Sequence, residues 1–171
     1  PHASSSAASD VYKRQGIEGE VCIKGDNVTK GYENNEEANK SSFINGWFRT
    51  GDQGFFDSDG YLKISGRLKE IINRGGEKIS PLEIDNVLME HESIEQVVTF
   101  GVKDKMLGET IGIAIVIKKG AECSEKEIRN YARMHLADFK IPKHICFLDE
   151  IPKGATGKMQ RIGLSKKLGL E

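Results

Sequence analysis

Three stretches of this sequence combine residue types suited to an anionic, hydroxyl-bearing ligand. In residues 48–54, FRTGDQG, Asp52 follows Gly51. A carboxylate on a glycine-flanked bend can approach a pair of ligand hydroxyls such as those of a ribose; the same dipeptide also suits an ordinary turn. Residues 65–81, SGRLKEIINRGGEKISP, place Arg67, Lys69, Arg74 and Lys78 around Gly75 and Gly76. Cations beside a flexible glycine pair suit a phosphate or a narrow channel, and equally a loop with a solvated basic face. In residues 151–161, IPKGATGKMQR, Lys158 follows Gly157. A Walker A loop needs four residues before its Gly-Lys pair and Ser or Thr after it. Here Ala155 and Thr156 alone separate Gly154 from Gly157, and Met159 follows the lysine. The segment is no P-loop, although a flexible lysine can still present its charge to an anion.

Other chemistries lose ground. The histidines, His2, His91, His135 and His144, form no cluster in sequence, and His91 and His135 fall on or near apolar helix faces. No Ser-His-Asp order and no HExxH box occurs, which disfavours hydrolase and metalloenzyme readings. Cys22, Cys123 and Cys146 are scattered without metal spacing and suit a reducing compartment, with cytoplasm the expected location. A net charge of −1 gives no footprint for nucleic acid. No apolar run approaches the roughly 20 residues that a membrane span needs.

These residues need elements to hold them. Residues 1–15, PHASSSAASDVYKRQ, show neither strand alternation nor a helical stripe and are expected to be a non-native or disordered leader. Residues 16–66 are punctuated by glycine and read as short strands. GEVCIKG places Val21 and Ile23 on one face, and GFFDSDGYLKISGR reads as a hairpin around Ser58-Asp59-Gly60. The polar NNEEANKSSFINGW between them suits a short helix and a loop. The boundary falls at residues 67–70, and residues 71–171 form a second domain. There Ser80, Pro81 and Glu83 announce a capped helix with Ile84, Val87, Leu88 and His91 on one face. VVTFGV and GIAIVIKKG are buried-strand candidates. Ser124 and Glu127 cap a second helix carrying Ile128, Tyr131, Ala132, Leu136 and Phe139. KHICFLDEI gives a last strand, and residues 162–168 a short helix. The expected fold is α+β: a small β-rich subdomain, then a compact α/β unit with a small sheet and flanking helices.

Taken in order, GEVCIKGDNVTKGY, WFRTGD, GRLKEIINRGGEKISPLEID, LADFKIP and TGKMQR resemble the later core motifs of the adenylate-forming superfamily. That superfamily includes acyl-CoA synthetases, coumarate-CoA ligases, luciferases and peptide-synthetase adenylation domains. The likeness runs from Gly19 to Arg161, and NRGGEKISP is most similar to the oxalate-CoA and medium-chain acyl-CoA ligase types.

The resemblance implies roles. Asp52 would hold the ribose of ATP, with Arg67 also on the nucleotide and Lys78 near the AMP phosphate. Lys69 would be the hinge about which the carboxy-terminal domain alternates between two poses. Gly75 and Gly76 would line the channel for CoA, and Lys158 would bridge the acyl carboxylate and the α-phosphate. ATP, magnesium, CoA and a carboxylic acid are the implied substrates.

The glycine- and Ser/Thr-rich phosphate loop of the family, its adenine motif and its acyl pocket have no counterpart in the sequence. The expectation is a carboxy-terminal fragment that works with a missing amino-terminal domain and is inactive alone. The alternative is a non-catalytic module that docks a partner.

Overall fold

The computed structural model describes residues 16–154 and 157–170. The expected leader, 1–15, lies outside the described residues. The chain divides into two compact units, with the division between Lys69 and Glu70.

The first unit is built on one long strand. β3 (Trp47–Phe56) pairs antiparallel with β1 (Gly19–Ile23), β2 (Phe43–Ile44) and β4 (Leu62–Arg67). The single helix, α1 (Glu36–Ser42), starts where the Asn35 side chain accepts the Ala38 N–H at 3.1 Å, with Glu36 and Glu37 at its positive end. The expected β3–β4 hairpin is present. Its turn is organised by the Asp57 carboxylate, which accepts the N–H groups of Tyr61 and Asp59 at 2.9 and 3.0 Å. These bonds, the Tyr61 N–H first, hold the Asp57 carboxyl below its ordinary range. Among the described residues of this unit no apolar side chain is buried. Ile23, Ile44, Trp47, Leu62 and Ile64 are all more than a third exposed. The Val21 and Ile23 alternation therefore seals no interior: Ile23 is 42% exposed.

The second unit has a core on both faces of its sheet. β7 (Ile94–Asp104) and β8 (Gly108–Ile117) form a long antiparallel ladder. The opposite edge of β8 pairs with β5 (Ile72–Arg74) at Gly108 and, in parallel, with β9 (His144–Phe147) at Gly112 to Ile115. β6 (Glu77–Ile79) completes the sheet beside β5. α2 (Pro81–Met89) and α3 (Glu125–His135) set Ile84, Leu88, Ile128 and Ala132 against Ile72, Ile79, Val97, Ile111, Ile113 and Ile115. On the other face Val98, Phe100, Val102 and Ala114 meet Ile151 and Leu164, the latter from α4 (Leu164–Lys167). Each Val, Leu, Ile or Phe among them contributes about 1.5–3 kcal/mol on full burial. At Gly112 the two strands close tightly: a Cβ there would sit 2.7 Å from the Phe100 ring.

The α+β expectation holds, with differences in detail. The strands of the ladder extend several residues beyond the apolar runs that announced them. The last helix is shorter than residues 162–168 and covers Leu164–Lys167. Ser124 and Glu127 form the anticipated capping box, their reciprocal bonds 3.3 and 2.7 Å. Ser80 occupies the N-cap of α2 but its side chain makes no cap bond, and the Glu83 carboxylate that would complete the box pairs instead with Lys140. α2 stops at Met89, so His91 lies past its end.

An acid-sensitive tie closes the β7–β8 turn. Asp104 accepts Lys143 Nζ at 2.8 Å and the N–H groups of Met106 and Leu107 at 3.0 and 3.1 Å. The lysine and those two amides lower its pKa from 3.8 to about 2. A depressed carboxylate stabilises the fold above its unfolded pKa, and that contribution is lost as pH falls from 3.8 towards 2. Denaturant midpoints followed through this window should drop less in Asp104→Asn than in the parent. Parallel curves would show that the tie is not coupled to folding.

Candidate functional site

Asp52 and Arg67, fifteen residues apart in sequence, are cross-strand partners in the β3–β4 register. Arg67 Nε donates to Asp52 Oδ1 at 2.8 Å. The approach to Asp52 is shaped by Gly51, whose φ of 73° is in the left-handed region that glycine tolerates. The Thr50 hydroxyl fixes this bend by donating to Val21 O at 2.8 Å and accepting the Asp52 N–H at 3.0 Å. The Arg67 guanidinium thus orients the Asp52 carboxylate through Oδ1.

Lys69 lies in the 3-10 turn Leu68–Glu70, at the division between the units. Residues 72–79, taken from sequence as part of a basic loop, form a hairpin. Gly75 and Gly76 are its two-residue turn, with φ of 60° and 95°. A two-residue turn with both central φ values positive matches the twist of the flanking strands. The Gly75 N–H donates to Leu107 O at 2.8 Å, which ties the turn to the end of the β7–β8 ladder. A Cβ on Gly75 would press on Leu107, whereas one on Gly76 would meet nothing within 4 Å. The Gly76 face is open to an approaching molecule. Lys78 stands exposed on β6 opposite Asn73, and Arg74 is half-buried opposite Glu77.

Lys158 lies on a different loop of the same unit. Lys153 and Met159 bridge across the neck of this loop, and Gly154 N–H donates to Lys158 O at 2.8 Å. Ile151 before it and Leu164 after it are fully buried on the same face of the sheet. The lysine itself is exposed. Among the described residues Lys69, Lys78 and Lys158 have no carboxylate partner, so the charge of each remains available to an anion.

Sequence reasoning missed the polar knot beneath this loop. Arg161 donates through Nε to Glu70 at 2.8 Å, and through Nη1 to Asp85 at 2.8 Å and Thr99 O at 2.6 Å. Asp85 also accepts the Thr99 N–H at 2.7 Å. Burial pushes the Asp85 carboxyl above its ordinary range, although Arg161 and Thr99 pull it down. The available signal was Asp85 itself, an acid directly beside Ile84 on the helix that buries Pro81, Ile84 and Leu88. The histidines behave as packing groups: His91 and His135 flank the Tyr131 ring at 4.9 and 4.5 Å. No group of three His, Cys, Asp or Glu among the described residues is placed to hold a metal ion.

The sheet thus carries α2 and α3 on one face, a glycine hairpin at its edge, and the lysine loop anchored with α4 across the other face. Residues 83–158 match the AMP-binding enzyme C-terminal domain. Over 146 residues it is 55% identical to a probable CoA ligase of Humulus lupulus, covering 85% of this chain and 28% of the relative. It is 54% identical over 143 residues to an oxalate–CoA ligase of Arabidopsis thaliana, covering 84% and 28%. Its structure is similar to o-succinylbenzoate CoA synthetase from Bacillus subtilis in complex with an acyl-adenylate intermediate. The TM-score is 0.81 at 37% identity, over 88% of this chain and 31% of the other. The chain spans about 28% of the length of the curated relatives it matches.

Proposed function

We propose that this chain is the carboxy-terminal part of an AMP-forming acyl-CoA ligase. The complete protein would convert a carboxylic acid, ATP and CoA to acyl-CoA, AMP and pyrophosphate. The observation that carries this reading is Lys158: exposed, without a carboxylate partner among the described residues, and presented by a loop whose two ends are buried. In the first step a carboxylate oxygen attacks the α-phosphorus, and the bond to the β-phosphate oxygen breaks to release pyrophosphate. Two anions must meet, and an ammonium between them lowers the barrier by neutralising their repulsion. In the second step the CoA thiolate attacks the acyl carbonyl carbon and expels AMP.

The remaining residues take their places around these steps. Asp52, oriented by Arg67, accepts the ribose hydroxyls, and Arg67 also reaches the nucleotide. Lys78 meets the AMP phosphate. Magnesium enters with ATP, on its phosphates. Lys69 is the hinge of a two-pose motion, and the open side of Gly75 and Gly76 admits the pantetheine of CoA. Residues 16–66 end an amino-terminal domain, 67–70 connect, and 71–171 form the lid. The uncovered apolar side chains of the first unit support a further domain packing on its sheet. Free Cys22, Cys123 and Cys146 fit a cytoplasmic protein.

The names of two of the relatives favour oxalate. The test is AMP release by the complete protein against oxalate and a series of fatty acids, with and without CoA. CoA-dependent release with one acid is the expected result. Folded protein that turns over no acid would favour a non-catalytic docking module.

A further inference from the structure

Lys158 reaches out from an exposed loop, and a catalytic cation is useful only if its position is fixed. Along the chain, Gln160 N–H donates to Pro152 O at 2.9 Å, and the Lys153–Met159 bridge closes the neck. Gln160 Oε1 also accepts Lys167 Nζ of α4 at 2.6 Å, which ties the loop to the short helix that follows it. Arg161, three residues beyond the lysine, ties it to the sheet, to α2 and to the start of the unit. Its side chain is 17% exposed and meets Glu70 at the start of the unit, Asp85 on α2 and the Thr99 carbonyl in the middle of β7. Three separate elements thus converge on one guanidinium.

We propose that Arg161 is the positioning residue for Lys158, registering the lysine loop to the body of the lid through Glu70, Asp85 and Thr99. This inference rests on the ligase reading given above. Guanidinium suits the task because its planar donors are directed in a fixed fork, whereas an ammonium is a single point of charge. Glu70 is also the residue next to Lys69, so the arginine joins the first residue of the unit to the loop 91 residues away. The lid then turns as one body, carrying the lysine with it.

Arg161→Ala would leave Asp85 buried without a cation, and loss of folding would confuse the outcome. Arg161→Lys keeps the charge while losing the fork. In the complete protein it should slow acyl-adenylate formation by about tenfold to a hundredfold, as expected for a displaced reacting group, and leave thioester formation from supplied acyl-AMP unchanged. Combined with Lys158→Ala it should cost adenylation nothing further, because both changes act through one cation. Hydrogen exchange should quicken at the Gly154, Gly157 and Gln160 amides and remain unchanged through β7 and β8.

Equal loss of both half-reactions, or additive loss in the double variant, would reduce Arg161 to a stabilising contact and overturn the proposal. If the parent protein formed no acyl-AMP, the ligase reading would fall, and with it the role given to Lys158. Unchanged exchange in the loop would show separately that Arg161 does not anchor it.

Discussion

Replacing Lys158 by alanine in the complete protein should lower acyl-adenylate formation by about a hundredfold to a thousandfold, the usual cost of deleting one preorganised charge stabiliser. Thioester formation from supplied acyl-AMP should keep its rate. The asymmetry follows from charge. The first step brings a carboxylate onto a phosphate, whereas the second starts from a mixed anhydride already joined. Lys158 is exposed and makes no ion pair among the described residues, so its removal leaves no buried group stranded and the unfolding midpoint should not move. Pyrophosphate exchange reports the first step and CoA consumption the second. Equal losses in both assays would remove Lys158 from its pose-specific role.

The opposite asymmetry is expected at the junction. Lys69→Pro should spare adenylation and slow the thioester step by about tenfold or more, since product formation then depends on a joint that no longer turns. Proline fixes its own φ near −65° and drives the preceding residue, Leu68, out of the α region. Two adjacent residues of the 3-10 turn thereby lose their freedom at the division between the units. Hinges are a few positions that absorb large dihedral changes, so stiffening two should trap the pose in which the protein folds most readily. Single-turnover CoA consumption from preformed acyl-AMP is the measurement, and an unchanged rate would place the hinge elsewhere.

Local chemistry in this molecule was legible, and long-range pairing was not. The capping box of Ser124 and Glu127 needs only residues three apart and is present as read. The same signature at Ser80 and Glu83 does not close, and the Glu83 carboxylate pairs instead with Lys140, 57 residues away. The Gly75-Gly76 turn carries a hairpin signal, but its strands are three residues long, and β5 meets β8 in register at the single pair Arg74 and Gly108. Asp52 and Arg67 were each visible as candidate ligand groups. That they face one another depends on a bulge in the β3–β4 register, which no spacing announces. The Arg161 knot draws on residues 91, 76 and 62 positions away, beyond the reach of any pattern along the chain.

The buried ends of the lysine loop also bear on how such a domain can diverge. Ile151 and Leu164 hold the segment by apolar contact with Val98, Phe100, Val102 and Ala114, a kind of attachment indifferent to what lies between them. Loop closure costs rise only slowly with length. Insertions and replacements in this stretch are therefore cheap for the sheet, provided that a guanidinium still returns to Glu70 and Asp85. A scaffold of this kind can vary the residues around Lys158 while inheriting the sheet and its packing unchanged.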